Sequence, residues 1–514
     1  MTGSPGALAG AAFHDPPSFE ARWRRAVANA ADRPFLTFDD LNGRVTRWSY
    51  AEFDAVVAEV AGLLRERGVD RGARIHLMLA NSPAFVALWL AAVRIGAAIV
   101  PADPRARARE LAEQIRRTAP ALGVCSTTNE DVYSVAAQAT DLNYVAVAED
   151  DTALDALRGP REASDQPPAP EETAAIMFTS GTTAAPKGVV VTQANYAFAG
   201  DVMAAAAALR RDDCCLVVLP LFHANAQYYS FAAAISVGAH VALMARFSAS
   251  GFIEQARRHE ATHASLFAAP IRMILARTPA DAEPVKLAHC WFAQNLADRE
   301  YEAFSELIGT RPRQLYGMTE TIPAVLTSPP LEPMPDSIGR PTLGCDVRLV
   351  VPDGEGEPAP GEVGEIAVAG RPGIELFAGY LDDPETTAAS FRDGLFLTGD
   401  LAYRDEEGRY RFAGRRGDVL KVAGENVSTV EVESVLAEHP GVLDCAVVGE
   451  PDEVRDEVPV AHVVRAEGNP GLDEAALIEW CSRNLAPSKV PRRVVFHTEL
   501  PRTSVGKIRK FALR

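Results

Sequence analysis

Residues 179–188 read TSGTTAAPKG and follow the apolar run AAIMF at 174–178, which reads as a buried strand. Hydroxyls at Thr179, Ser180, Thr182 and Thr183 crowd around Gly181, and Lys187 closes the segment. Small residues let backbone N–H groups approach an anion, the hydroxyls donate further hydrogen bonds, and the lysine supplies charge. That is the chemistry of a polyphosphate grip. A Walker A loop needs Gly-Lys followed by Ser or Thr, whereas here the lysine precedes the glycine.

Outward from this loop, helical periodicity alternates with short β-branched runs, the pattern of an α/β protein with largely parallel sheets. Residues 51–67 predict an amphipathic helix with Phe53, Val56, Val57, Val60, Leu63 and Leu64 on one face. A strand at 74–79, a helix at 85–94 and a strand at 97–100 follow, so right-handed crossovers are expected. Residues 150–172, rich in Pro, Asp and Glu, predict a surface connector into the loop. Beyond Pro330, strands at 347–351, 364–369 and 409–413 between Gly, Pro and Asp turns predict a β-rich subdomain. A boundary falls at GRRGD, 414–418, and helices at 430–438 and 473–485 then predict a small α+β domain.

Composition narrows the function classes. A chain of 514 residues outgrows a single core. Its 47% apolar and 23% charged content is ordinary for a globular protein. A net charge of −18 argues against nucleic-acid or anionic-membrane partners, yet leaves room for an anionic small molecule in a locally basic pocket. Seven cysteines without a CxxC make neither a disulfide framework nor a zinc pattern and suit a reducing cytosol. The N-terminal stretch lacks the basic residues of a signal peptide, and Arg94 breaks the longest apolar run, so a cytoplasmic location is expected. The HEATH at 259–263 matches a zinc-protease pattern, but a strand expected at 262–268 would part the two imidazoles.

The loop has company. Tyr316, Gly317, Met318, Thr319 and Glu320 follow a strand end, Thr398, Gly399 and Asp400 make a tight turn, Arg415 comes shortly after, and PRTSVGK at 501–507 ends in Lys507. In this order, with IGAAIVPADP at 95–104, the motifs resemble those of adenylate-forming enzymes (acyl-CoA synthetases, adenylation domains and luciferases) over nearly the whole chain. LPLFHANAQ, YGMTETI and VAGENVS most resemble crotonobetaine/carnitine–CoA ligase-like acyl-CoA synthetases.

The resemblance implies a large N-terminal ATP- and acid-binding domain, 1–413, of mixed and parallel sheets with helices plus the β-rich subdomain. It also implies a hinge at 414–418 and a small mobile C-terminal lid at 419–514. A carboxylate would attack the α-phosphorus of MgATP to give an acyl-adenylate and pyrophosphate, and the thiol of CoA would then displace AMP. Some relatives pass the activated group to a carrier-protein thiol or an amine, and some activate nitrite toward an aromatic amine. Either a monomer or a homodimer fits.

The implied roles fall on Thr179, Ser180, Gly181, Thr182, Thr183 and Lys187 for the β- and γ-phosphates, Thr319 for the α-phosphate and Glu320 for Mg²⁺. Asp400 and Arg415 would hold the ribose, with Tyr316, Gln294 and Asn295 around the nucleotide. Lys507 would serve adenylation and Lys421 the thioester-forming conformation. The acid pocket would be lined by Phe222, His223, Asn225, Gln227 and Tyr228, by Trp291, Phe292 and Ala293, and by Gly317, Met318 and Ile322. His223 also reads as a satisfied core histidine. So polar a lining favours a small functionalised or aromatic acid over a plain alkyl chain. Two positions depart from the usual pattern: Ala184 in the phosphate loop and Gly417 at the hinge.

Overall fold

The computed structural model describes the chain apart from residues 1–15, 41, 163–165, 180–185, 280, 332, 353, 355, 417–418, 423–424, 453–454, 467, 470, 503–507 and 514. Four sheets organise the described residues. In the nine-stranded sheet Pro34–Asp39, His240–Met244, Cys214–Val217, His263–Phe267, His289–Ala293 and Arg313–Tyr316 run parallel, in that spatial order. Antiparallel strands close its two edges. The seven-stranded sheet sets Thr173–Thr179, Ala98–Pro101, Arg74–Met78, Leu122–Ser126 and Tyr144–Val147 parallel. Strands such as His263–Phe267 and Leu122–Ser126 are buried at every residue, as a parallel sheet covered on both faces requires.

Between these sheets runs Pro83–Ile95, a helix buried at every residue because its sequence is apolar all round. Ser82 accepts a hydrogen bond from the Phe85 amide, Pro83 fills the first turn, and Gly96 closes the helix at φ 71°. The charge that interrupts the apolar run, Arg94, bonds Asp54, which also accepts from Trp23 Nε1 at 2.7 Å. A buried guanidinium is tolerable on those terms. No helix among the described residues is long and apolar enough to cross a membrane.

Beyond Pro330 the expected β-rich subdomain is a five-stranded antiparallel sheet: Asp346–Val350, Gly364–Ala369, Leu395–Arg404, Phe391–Arg392 and Tyr410–Arg415. A second five-stranded sheet begins at Val419–Val422 and carries the helices Thr429–Glu438 and Glu474–Asn484, whose Val432, Leu436, Leu477 and Cys481 are buried. The segment expected as a surface connector is partly docked instead. Leu154 and Leu157 are buried, and Gly62 lies so close to the Pro160 carbonyl that a Cβ there would stand 1.6 Å from its oxygen. Two leucines among the acidic and proline residues were enough to fasten it.

Several imidazoles are buried in a form that forbids charge. His76 is fully buried in the seven-stranded sheet; its Nε2 donates to Gln114 Oε1 at 3.3 Å and its Nδ1 accepts from the Tyr133 hydroxyl at 2.9 Å. Burial pulls its pKa down to about 4, and burial does the same to His240. A histidine that folds neutral stabilises fully above its unfolded pKa near 6.5, and that contribution is lost as pH falls from 6.5 toward 4. Urea unfolding should show stability dropping through that window, and His76→Gln should flatten the slope by about one proton. An unchanged slope in the variant would mean another group titrates.

Candidate functional site

Three of the sheets bring one strand end each to a common place. Tyr316 ends the strand Arg313–Tyr316, and its hydroxyl donates to Asp400 Oδ2 at 2.7 Å. Arg415, paired with Asp400 in the antiparallel register, donates from Nε to Oδ1 at 2.8 Å. Asp400 itself is 3% exposed. The tight turn expected at 398–400 is instead an irregularity within the strand Leu395–Arg404, where glycine gives the strand a left-handed residue; it is fastened from behind, since Gly399, at φ 74°, donates its N–H to Glu365 Oε1 at 2.9 Å, and Arg416 pairs with Glu365 Oε2 at 3.2 Å. Thr398 Oγ1 accepts from the Asp400 amide at 3.1 Å. Glu365 had no motif around it to mark it.

On the other side, the hairpin of Thr173–Thr179 and Lys187–Thr192 sets Thr179 opposite Lys187. The ammonium of Lys187 sits 4.6 Å from the ring centre of Tyr380, whose hydroxyl donates to Glu320 Oε1 at 3.1 Å. Tyr380 is a second residue that sequence reasoning missed; a tyrosine after Gly379 carries no signal of its own. Glu320 is 4% exposed in the short turn Thr319–Thr321, and its carbonyl accepts from the Phe377 amide at 2.9 Å. Burial pushes its carboxyl above the usual glutamate range, opposed by hydrogen bonds to its own amide and to Tyr380 and by the charges of Lys187 and Arg415. Thr319 stands half-buried beside it. Just beyond, Ile322 adopts φ 67°, ψ −81°, a region a β-branched residue rarely enters.

The segment before the pocket is held by Asn81. Its amide nitrogen donates to the carbonyls of Leu219 and Met244, each at 3.1 Å, and its oxygen accepts from the Leu221 amide at 2.8 Å. Phe222 and His223 follow, half-buried, with ring centres 4.2 Å apart. The wide π-type helix Asn225–Ala232 then runs beneath. Asn225 and Tyr229, four residues apart, share a face. The Tyr229 hydroxyl lies 2.9 Å from where a Cβ on Gly317 would stand, which makes Tyr229 a third missed residue. Asn225 is 8% exposed, and its Oδ1 has no hydrogen-bond partner.

Four expected pocket residues face the core instead. Gln227 accepts from the Tyr196 hydroxyl and donates to the Leu221 carbonyl at 2.6 Å, so both ends of its amide are held within the core. Tyr228 reaches Met177 Sδ at 3.8 Å and packs on Tyr196. Phe292 falls to the wrong face because a strand alternates: Trp291 joins the main core, while Cys290 and Phe292 pack with Tyr301 and Phe304 in a second one. Ile322 is closed over by the main core, and each of these four shows no accessible surface. Trp291 stays at 2% exposure, with Ala293 and Met318 half-buried. Gln294 takes φ 76° and its carbonyl accepts from Gln314 Nε2 at 3.1 Å, while Asn295 is exposed.

Ser180, Gly181, Thr182, Thr183, Ala184, Gly417 and Lys507 lie outside the described residues. Lys421 sits on Val419–Val422, opposite Asn426 in register. The zinc-like HEATH parts as expected. His259 ends the helix Phe252–Arg258 and bonds Asp39 Oδ2 at 3.0 Å, whereas His263 opens the next strand and bonds Thr262 Oγ1 at 2.9 Å. Among the described residues no three side chains form a metal-binding group.

Known proteins resemble this chain in sequence and in fold. A family model described as AMP-binding enzyme matches residues 23–381, and one described as AMP-binding enzyme C-terminal domain matches 431–507. A crotonobetaine/carnitine–CoA ligase of Salmonella arizonae is 36% identical over 507 residues, covering 96% of this chain and 98% of its own. The crystal structure of ATP-bound MatB from Rhodopseudomonas palustris superposes with a TM-score of 0.87 at 27% identity, over 96% of this chain and 98% of that one. The o-succinylbenzoate–CoA synthetase MenE of Bacillus subtilis, in complex with its acyl-adenylate intermediate, does so at 0.83 and 25%, over 97% and 98%.

Gly317 tests how tightly these parts meet. A methyl group there would stand 2.9 Å from both the Pro323 carbonyl and the Tyr229 hydroxyl and 3.0 Å from the Ala324 Cα. Gly317→Ala should lower stability by about 1–3 kcal/mol in urea unfolding. Adding Tyr229→Phe should return part of that loss; strict additivity of the two changes would show that the contact is absent.

Proposed function

The chain belongs to the AMP-binding enzyme family, and from that premise we infer that it is an ATP-dependent carboxylic acid–CoA ligase working through an acyl-adenylate. The observation that carries the reading is the meeting of two clusters, Tyr316–Asp400–Arg415 and Lys187–Tyr380–Glu320, where three sheets end. Ligands of open α/β sheets bind at the carboxyl ends of the strands, which is where both clusters lie.

A carboxylate oxygen of the acid attacks the α-phosphorus of ATP in line and expels pyrophosphate; the thiol of CoA then adds to the acyl carbon, loses its proton and releases AMP. Asp400, set between a phenol and a guanidinium that fix its orientation, accepts the ribose hydroxyls with its carboxylate oxygens. Lys187, with Thr179 through Thr183, holds the β- and γ-phosphates, and Thr319 bonds the α-phosphate. The donor set also fits Mg²⁺: Glu320 offers one buried carboxylate, a hard oxygen ligand that leaves the remaining positions to phosphate oxygens and water. Bound there, the ion neutralises charge building on the phosphate oxygens. Lys507 bridges the acid and ATP oxygens during adenylation. The sheet that begins at Val419 acts as a lid turning about residues 414–418, which brings Lys421 into play for the second step.

The unpartnered Oδ1 of Asn225 supports a small functionalised or aromatic acid over an alkyl chain, since that buried acceptor gains nothing from a hydrocarbon. Seven free cysteines, five of them buried, support a cytoplasmic setting.

The decisive experiment supplies MgATP, a panel of acids including nitrite, and either CoA, amines or no acceptor. Pyrophosphate release with formation of an acyl-CoA is the expected outcome; release with no CoA adduct under any acid would sink the ligase reading in favour of a different acceptor. Lys507→Ala should slow adenylation by roughly two to three orders of magnitude while still converting supplied acyl-adenylate. Equal loss of both half-reactions would refute that role. Asp400→Asn should raise the KM for ATP about tenfold to a hundredfold, read from initial rates, because charged hydrogen bonds to the ribose are lost.

A further inference from the structure

Glu365 is 2% exposed, and the chemistry above gives this buried acid no part. It stands on Gly364–Ala369, a strand held on both sides, with Val350 opposite it on one neighbour and Leu401 on the other. A side chain carried on so well pinned a backbone has a fixed origin. Along the edge shared with Leu395–Arg404 the register jumps: Glu365 pairs with Leu401, but Ala367 pairs with Leu397. A step of two residues on one strand thus answers a step of four on the other, and the excess falls at residues 398–400. Such bulges re-aim side chains, and the one re-aimed here is Asp400.

Side chains hold the excursion where the pairing with Gly364–Ala369 does not. Thr398 Oγ1 donates to the Ile366 carbonyl at 2.8 Å while accepting from the Asp400 amide. Gly399 has open space where a Cβ would stand, so its left-handed φ, and not crowding, calls for glycine. Its N–H donates to Glu365 Oε1 at 2.9 Å, its carbonyl accepts from the Arg416 amide at 2.9 Å, and the Arg416 guanidinium donates to Glu365 Oε2 at 3.2 Å. One carboxylate and one arginine thereby close a ring around Gly399. The ring needs two acceptor oxygens, whereas a glutamine offers one and turns an NH₂ toward the second donor.

Resting on the reading of Asp400 as the acceptor of the ribose hydroxyls, we propose that Glu365 is a positioning residue for that carboxylate. The N–H and the carbonyl of Gly399 belong to the two peptides before Asp400, so fixing both sets the direction in which the Asp400 side chain leaves the strand. From there its oxygens meet the Tyr316 hydroxyl at 2.7 Å and Arg415 Nε at 2.8 Å. Without Glu365 the Gly399 N–H loses its acceptor, a cost that the chain escapes by shifting the bulge. Such a shift moves Asp400 against the sugar, and a small misplacement of a binding group is enough to weaken the hydrogen bonds it makes.

The test compares the Kd of ATP with that of 2′-deoxyATP by titration calorimetry, which needs no acid substrate. The unaltered protein should bind ATP about tenfold to a hundredfold more tightly, the range for a charged hydrogen bond to one hydroxyl, and Asp400→Asn should erase most of that preference. Glu365→Ala should shrink the ratio toward one. Glu365→Gln, which keeps an acceptor for Gly399 and loses the tie to Arg416, should give a ratio between the two, and it carries the test alone where Glu365→Ala does not fold. Folded Glu365 variants that keep the full ratio, whether they bind both nucleotides as before or both equally worse, would overturn the proposal and leave Glu365 a structural residue. Binding of neither nucleotide by the unaltered protein, or a preference that Asp400→Asn leaves intact, would instead overturn the ribose reading, and this inference with it.

Discussion

The carboxylate of Asp400 is the interaction on which the rest of the site depends. It is buried, and a phenol from the nine-stranded sheet and a guanidinium from the neighbouring strand both donate to it. The same two bonds tie the end of Arg313–Tyr316 to the antiparallel subdomain and to the strand that leads toward the C-terminal sheet. Removing the charge would therefore loosen three elements and not one. A ligand's hydroxyls would compete for an acceptor already oriented, which is how a site holds a sugar without reorganising.

The two candidate clusters also divide their electrostatics. Asp400 accepts from a phenol and a guanidinium, whereas Glu320 has its own amide, one phenol and the more distant charges of Lys187 and Arg415. Glu320 is left underpaid in hydrogen bonds relative to its burial, and its carboxyl is raised. A cation arriving beside it would complete what the protein leaves unfinished. Asn225 Oδ1 is unpartnered in the same manner, while Gln227, which looks equally polar in the sequence, is engaged by Tyr196 and Leu221.

Much of this was legible in the chain itself. Periodicities of 3.6 and 2 foresaw Tyr50–Glu66, Arg74–Met78 and three strands of the antiparallel subdomain to within two residues, because burial enforces them, but not Phe391–Arg392 or Leu395–Arg404. The HEATH segment was correctly read as parting into helix end and strand. Motif residues clustered as well, since Tyr316, Glu320, Asp400 and Arg415 act through charge and geometry that demand their residue types. The misses have two causes. Tyr380, Glu365 and Tyr229 act through contacts with residues distant in sequence, which leave no local pattern, and Gln227, Tyr228 and Phe292 were assigned by adjacency although a helix or strand turns neighbours to opposite faces.

Arg415 and Arg416 are consecutive, yet each is anchored to a different buried carboxylate, Asp400 and Glu365. The chain thus leaves the antiparallel subdomain with its last two residues bolted on opposite sides, and the Arg416 amide is tied to the Gly399 carbonyl at 2.9 Å as well. A strand clamped in this way cannot transmit torsion backwards. The Ser428 hydroxyl, donating to the Ala413 carbonyl 2.6 Å away, adds a tie from the C-terminal sheet to the same strand. The Asp400 cluster and the chain that leaves it are thereby fastened from three sides at once.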